Sequence, residues 1–144
     1  TCLQSDASLS VAEIAEHVGL SATPCWRRIR NLEKAGIIRS RVALLDRHKL
    51  GLGTTVFVAV RTSNHTEDWL DSFAKAVNDF PEVVELHRMS GDVDYLLKVV
   101  VADITAYDDF YKRLIARVPL SDVSSSFAME EIKSTTALPL PPIR

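Results

Sequence analysis

The sequence predicts an α+β protein with a helical N-terminal third and a longer C-terminal part in which strands and helices alternate. In residues 11–36, apolar residues recur every three or four positions, which is the period of an amphipathic helix. In residues 54–62 and 93–101, β-branched and other strand-forming residues dominate. Residues 46–53 between these parts are rich in polar residues and contain two glycines, so we place a hinge there.

Composition excludes several classes of protein. The chain has 144 residues and 47% hydrophobic content, which is enough to bury a core and is atypical of disordered chains. Its longest apolar runs are far shorter than the roughly 20 residues that a membrane span needs. Cys2 and Cys25 are too few for a disulfide framework and lack the spacing of metal ligands, which is typical of a protein from a reducing compartment.

Charge is distributed unevenly along the chain. Residues 1–50 contain eight basic and five acidic side chains, whereas residues 51–144 contain nine basic and fourteen acidic ones. The basic residues concentrate between Arg27 and Arg41, a stretch whose one acidic residue is Glu33. A compact basic segment on an acidic body indicates a module that binds a polyanion, although a solvated charged face would have the same composition.

Two helices are predicted in the basic part of the chain. Ser10 and Glu13 have the spacing of a capping box, which starts the first helix, and Gly19 ends it. Ser21 is a second N-cap candidate, and the helix that follows it ends before Gly36. Two short helices joined by a tight turn form a helix-turn-helix.

The predicted elements divide the chain into four regions. After the second helix, residues 37–45 look extended, which suits a wing or a strand leading out of the first domain. Beyond the hinge, the order β-α-β-β-α-β is that of a ferredoxin-like domain. Its strands are predicted over residues 54–62, 83–90, 93–101 and 123–134, and its helices over 67–79 and 106–118. We assign a winged helix-turn-helix domain to residues 1–45, the hinge to 46–53, the ferredoxin-like domain to 54–136, and an extended proline-rich tail to 137–144.

The second helix separates into two faces when its residues are projected at about 100° each. One face is an apolar stripe, and the opposite face carries cations with short hydrogen-bonding groups: Thr23, Arg27, Arg30, Asn31 and Lys34. Such a face fits the major groove of DNA, where arginine forks onto guanine and asparagine or threonine meets base edges. Phosphate contacts are expected from the flanking Arg28, Arg39 and Arg41. Trp26 lies on the other flank, where packing against the core is its ordinary role and a DNA contact is the alternative.

Several stretches carry a resemblance that covers nearly the whole chain. In the first domain they are AEIA (12–15), VGLS (18–21) and AGII (35–38), and in the second they are SGDVDYLL (90–97) and AMEEIK (128–133). These motifs, in this order, resemble the Lrp/AsnC family of transcription regulators. The resemblance implies a regulator that binds double-stranded DNA and a small effector, and that assembles into homo-oligomers built from dimers. The family's first helix begins earlier than residue 1 here, so we expect part of that helix to be missing from the sequence.

The turn at Gly91-Asp92 is the part of the second motif that the resemblance associates with an effector pocket between subunits. The implied lining residues are Arg88, Gly91, Asp92, Asp94, Ile104, Ser126 and Ala128. From the residues alone, alternation along 93–101 places Asp94 on the face away from the helices, where it could pair with the ammonium of an amino acid. The alternative is that Gly91-Asp92 is an ordinary hairpin turn and Asp94 a charge at its rim. An amino acid of open identity is the expected effector.

Strand alternation also predicts a sheet with two different faces. The face away from the helices carries apolar side chains that are unsuited to water: Phe57, Ala59, Leu96 and Val100. We therefore expect the chain to dimerise through this face. Two recognition helices related by two-fold symmetry would then read a roughly palindromic DNA site.

Two other functions stay open at this point. Some proteins with the same two-domain plan act on tetrapyrroles, and in such an enzyme His87 and Arg88 would be the residues to suspect. The histidines, His65 among them, lack metal-ligand spacing, and no cofactor or phosphate-loop motif is present in the sequence. The second alternative is an amino-acid sensor that has lost DNA binding. A DNA partner and the lack of a visible targeting signal predict the cytoplasm.

Overall fold

The computed structural model describes residues 1–64 and 66–141, and it separates into two compact units. One unit contains Thr1–Leu44 together with the segment that starts at Ile132, and the other contains Leu45–Glu131. The boundary thus differs from the predicted one, because residues 132–136 group with the first unit. His65 and the last three residues of the predicted tail lie outside the described residues.

The described residues of the N-terminal unit form three helices, α1 (Cys2–Ser5), α2 (Val11–His17) and α3 (Ala22–Lys34), of which the capping signals had indicated α2 and α3. The predicted capping box is present, because Glu13 N donates to Ser10 Oγ at 3.3 Å and Ser10 N donates to Glu13 Oε2 at 2.7 Å. These hydrogen bonds from Ser10 lower the pKa of the Glu13 carboxyl. Gly19 and Gly36 have φ of +66° and +70°, which favours glycine at the end of a helix.

The core of this unit is small and apolar. Its buried residues are Ile14, Ala15, Cys25 and Ile29. The tail returns to this unit, since Leu138 N donates to Gln4 Oε1 at 2.7 Å and Gln4 Nε2 donates to Leu138 O at 3.2 Å. Residues 37–45, the predicted wing, take part in no strand of the described chain.

The C-terminal unit has the predicted order of elements: β1 (Thr54–Arg61), α4 (Glu67–Asn78), β2 (Val83–Arg88), β3 (Tyr95–Val101), α5 (Ile104–Arg117) and β4 (Asp122–Phe127). The strands form a four-stranded antiparallel sheet in the order β2-β3-β1-β4. The helices α4 and α5 pack on one face of this sheet, where Phe73, Phe110 and Leu114 are fully buried. No helix of the described residues is long and apolar enough to cross a membrane.

Three predicted strand ends are wrong by two residues or more: the end of β2, the start of β3 and the end of β4. The last strand stops at Phe127, not at residue 134, because β4 runs antiparallel to β1 and Phe127 pairs with Val56, close to the start of β1. Ala128 N still donates to Thr55 O at 2.9 Å, and in the same register residues 130–134 lie beyond the start of β1. β3 begins at Tyr95, not at residue 93, because residues 89–94 form the tight connection from β2.

Alternation along β3 agrees with the prediction from the sequence. Tyr95, Leu97, Val99 and Val101 are buried under the helices, and the residues between them are half-buried. The opposite face of the sheet, which we call the open face, carries Phe57 with 40% of its surface exposed, beside Ala59, Leu96 and Val100. The four predicted apolar residues therefore lie together on the open face of the C-terminal unit in the folded chain.

Candidate DNA-binding surface and effector turn

Helix α3 presents the predicted DNA-reading residues to solvent. Cys25 and Ile29 on the opposite side of the helix are buried. The five predicted residues are all exposed: Thr23, Arg27, Arg30, Asn31 and Lys34. The apolar stripe thus anchors the helix and fixes which face points outward. The predicted phosphate contacts are exposed as well: Arg28, Arg39 and Arg41.

Ion pairing divides these cations into two groups. Arg30 Nη1 lies 3.0 Å from Glu33 Oε2, and Arg41 Nη2 lies 3.2 Å from Glu33 Oε1. The other cations make no ion pair within the part of the chain that the structure describes: Arg27, Arg28, Lys34 and Arg39. Four unpaired cations on and beside one helix can attract a polyanion without breaking an existing contact.

Trp26 was expected in the core, and that expectation is wrong. The side chain is 54% exposed, and the guanidinium carbon of Arg30 lies 5.9 Å from the centre of its ring. The reason is its position one residue after Cys25, which turns it about 100° away from the buried stripe. The exposed ring supplies a flat surface beside the basic face and contacts Arg30 through a cation–π interaction.

The turn at Gly91 and Asp92 joins β2 to β3 at one end of the sheet. Gly91 has φ of +118°, in the region that favours glycine. Asp92 O accepts a hydrogen bond from Arg61 Nε at 2.6 Å, and Arg61 Nη1 pairs with Asp122 Oδ2 at 3.0 Å. Arg61 therefore ties the turn to the start of β4. Arg61 was not among the residues predicted from the sequence, where its one visible signal is a charge at the end of a strand.

Asp94 lies in the connection before β3, contrary to the predicted strand over 93–101. Its backbone N donates to Val60 O at 3.0 Å, and its backbone O accepts from Met89 N at 2.8 Å. Its carboxylate Oδ2 accepts from Thr62 N at 2.8 Å. The half-buried Asp94 thus holds the end of β1 against the connection between β2 and β3.

The other predicted effector residues occupy different parts of the sheet. Arg88 is exposed beside the turn, and Ser126 lies opposite Phe57 in the middle of the open face. Ile104, 70% exposed, follows the far end of β3, and Ala128 lies near that end because its N donates to Thr55 O. The length of β3 separates the two ends by about 20 Å. Within one chain, the predicted residues at the turn are therefore separated from Ile104 and Ala128, and Ser126 lies between the two ends.

A charged cluster borders the open face beside Phe57. Glu85 Oε1 lies 3.1 Å from Lys98 Nζ, and Glu85 Oε2 lies 3.1 Å from His87 Nε2. The hydrogen bonds from His87 and Lys98 lower the pKa of the Glu85 carboxyl. No group of three or more potential metal ligands occurs among the described residues. His87, the residue that an enzyme would have been expected to use, is thus engaged with Glu85 in this structure.

Comparison with known proteins adds the following findings. Residues 55–138 match the family model of the Lrp/AsnC ligand binding domain, and residues 1–39 match a winged helix-turn-helix DNA-binding model. A glutamate uptake regulatory protein of Zymomonas mobilis is 57% identical over 139 residues, which cover 96% of this chain and 85% of that protein. The DNA-binding transcriptional activator DecR of Escherichia coli is 52% identical over 139 residues, which cover 96% of this chain and 91% of that protein.

Solved structures agree with this match in both sequence and fold. An AsnC family transcriptional regulator from Agrobacterium tumefaciens has 61% identity and a TM-score of 0.94, with 96% of this chain and 90% of that chain covered. A transcriptional regulator from Neisseria meningitidis, solved in complex with L-methionine, has 37% identity and a TM-score of 0.91 over the same shares of the two chains. The chain belongs to the Lrp/AsnC family of DNA-binding transcriptional regulators.

Proposed function

We propose that this chain recognises a specific DNA sequence through α3 and that an amino acid bound between subunits of its C-terminal domain modulates that binding. The observation that carries the proposal is the outward face of α3. It combines Arg27 and Lys34, which have no ion pair in the described chain, with Thr23 and Asn31, whose side chains can meet base edges. Arg28 and Arg39 flank this face and are suited to phosphate contacts that orient the helix.

Assembly into homodimers, or into larger oligomers built from them, is part of the proposal. Phe57 lies at the centre of the open face, between Lys98 on β3 and Ser126 on β4. A two-fold contact through this face would bury the apolar side chains of both copies at once. It would also place two α3 helices on half-sites that are one or more helical turns apart on the DNA.

The effector site is proposed to lie at a boundary between subunits. The residues at the turn and the pair Ile104 and Ala128 fall at opposite ends of the sheet of one chain, so we propose that a pocket that uses both groups needs a second copy. An amino acid requires an anion for its ammonium, for which Asp92 and Asp94 are the candidates, and donors for its carboxylate. The hydroxyls of Ser124 and Ser126 lie exposed on the open face and can supply such donors. The L-methionine complex of the relative from Neisseria meningitidis supports an amino acid as the ligand class.

A thermal-shift screen of the twenty amino acids tests the effector proposal on the full chain. We expect one amino acid or a small group of them to raise the midpoint of unfolding, because a ligand at 100 times its Kd stabilises the folded state by about 2.7 kcal/mol. The matched control is the amide of each active amino acid, which lacks the carboxylate. Absence of any shift at millimolar concentration, or an equal shift with the amide, would contradict an amino-acid site.

Substitution of Asp94 tests which carboxylate holds the ammonium. Asp94→Asn should weaken the active amino acid about tenfold to a hundredfold, because a charge-assisted contact contributes about 1.5–3 kcal/mol. The fold should be retained, because the oxygen of an asparagine amide can still accept the hydrogen bond from Thr62 N. Calorimetric titration measures the affinity, and Asp92→Asn is the matched control. Equal affinities for wild type and Asp94→Asn, with a loss in Asp92→Asn, would assign the ammonium to the turn.

A further inference from the structure

Glu33 bridges two arginines at the C-terminal end of α3. Its oxygens are used separately, with Oε2 on Arg30 at 3.0 Å and Oε1 on Arg41 at 3.2 Å. Arg30 belongs to the outward face of α3, whereas Arg41 lies in the extended segment that follows the helix. The Glu33 side chain is 29% exposed and is less exposed than either partner. One carboxylate therefore links the DNA-reading face to the segment after it.

Arg30 is held on two sides. Glu33 accepts a hydrogen bond from its Nη1 atom, and the ring of Trp26 lies under its guanidinium carbon. Because the Glu33 contact uses Nη1, the other N–H groups of the guanidinium remain available for a second, forked contact. This arrangement restrains a side chain that otherwise carries high rotamer entropy. The Glu33 carboxylate also neutralises part of the positive charge of Arg30.

We propose that Glu33 is a positioning residue that sets the sequence specificity of DNA binding by withholding Arg30 and Arg41 from non-specific phosphate contacts. The proposal rests on the proposed role of α3 as the helix that reads DNA. In a non-specific complex, each arginine would exchange the Glu33 carboxylate for a DNA phosphate. Because one anion replaces another, the gain in binding free energy is small. At the correct site, Arg30 is already oriented by Glu33 and can form a forked contact with a guanine edge. Phosphate contacts cannot replace this contact, because they carry no sequence information.

The charge on Glu33 also acts on the DNA directly. Its carboxylate lies in the last turn of α3, beside the basic face. When the two arginines break their ion pairs with Glu33, this carboxylate repels nearby phosphate groups. Removal of this charge should therefore increase the affinity for non-specific DNA, which depends on phosphate contacts, more than the affinity for the specific site. The expected signature is a loss of discrimination with no loss of overall affinity.

Glu33→Gln tests the proposal, with Glu16→Gln as the matched control. Glu16 is an exposed acidic residue of α2 with no ion pair among the described residues, so its substitution changes the net charge of the unit equally. A duplex selected from a random library and a scrambled duplex of the same composition are titrated with the full chain by fluorescence anisotropy at several salt concentrations. Thermal unfolding of each variant is followed in parallel.

In Glu33→Gln, affinity for the scrambled duplex should rise about threefold to tenfold, which is the range that two exposed ion pairs of ordinary strength give. Its salt dependence should steepen by up to about two released counterions, because two cations become available to phosphate. Affinity for the selected duplex should change less, so the ratio of the two affinities falls. Glu16→Gln should leave that ratio as in wild type.

Equal behaviour of Glu33→Gln and Glu16→Gln would overturn the proposal, because net charge alone would then explain the change. If Glu33→Gln unfolds at a lower temperature than wild type, the bridge is tested with Arg41→Gln instead, because this variant keeps Glu33. This substitution should cost little affinity for the scrambled duplex, because Glu33 already holds Arg41, and a loss as large as that of Arg39→Gln would refute the bridge. Failure of α3 as the reading helix is a different result, since Arg27→Ala would then leave selected-duplex binding unchanged.

Discussion

The double variant Arg27→Ala/Arg30→Ala is expected to lose about 2–5 kcal/mol of binding free energy for a selected duplex, or roughly 30-fold to several thousand-fold in Kd. Both side chains lie exposed on the outward face of α3, where each can fork onto a guanine edge. Discrimination between the selected duplex and a scrambled duplex should fall in parallel, because these residues read bases. Titration by fluorescence anisotropy at fixed salt concentration measures both quantities.

Arg39→Ala is the control for this experiment. Arg39 lies outside α3 and is suited to phosphate contacts, so its loss should weaken binding to the two duplexes by the same factor. Retention of full affinity and discrimination by the double variant would show that α3 is not the helix that reads DNA. Unfolding of the double variant is not expected, because the core of this unit is formed by Ile14, Ala15, Cys25 and Ile29.

Phe57→Asp is expected to convert the assembled protein into monomers at micromolar concentration, with an increase in the dimer Kd of about a thousandfold or more. Burial of a phenylalanine side chain contributes about 1.5–3 kcal/mol, and a two-fold interface contains this residue twice. The substitution also places two carboxylates in the interface, and charges that lack a partner are costly to bury. Sedimentation velocity of the full chain over a range of concentrations measures the effect.

Ile115→Asp is the matched control for the open face. Ile115 is also an apolar residue of the C-terminal unit, with 45% of its surface exposed, but it lies on α5 and not on the open face. This variant should assemble as the wild type does. Dissociation by Ile115→Asp, with Phe57→Asp still assembled, would move the interface to the helical side of the domain.

Much of the architecture could be predicted from local patterns. The capping box at Ser10 and Glu13, together with the glycines at 19 and 36, located α2 and α3, because hydrogen bonds and backbone conformations within a few residues determine where helices begin and end. Alternation along β3 indicated which side chains are buried, since successive residues of a strand point to opposite faces. The exposed face of α3 was predictable from the period of the helix, which places Cys25 and Ile29 on one side and the basic residues on the other.

The features that could not be predicted depend on residues that meet only after folding. β4 ends near the start of β1, its partner, because residues after 129 have no residue of β1 opposite them. The contact of Arg61 with Asp92 spans 31 residues of sequence, and that of Asp94 with Thr62 spans 32. Such contacts leave no period or spacing in the sequence.

The sequence by itself determined the order of the elements, the buried sides of α3 and β3 and the basic face of α3, because these follow from local hydrogen bonding and from the period of apolar residues. The tertiary structure decided which of the exposed charges act on one another. Arg30 and Arg41 look like equal members of a basic segment, and the fold pairs both with Glu33. Asp94 looks like a residue of a strand face, and the fold directs its carboxylate to Thr62 N. The physical reason is that charge and hydrogen-bonding groups act through distance in space, which is set by the packing of elements and not by their spacing along the chain.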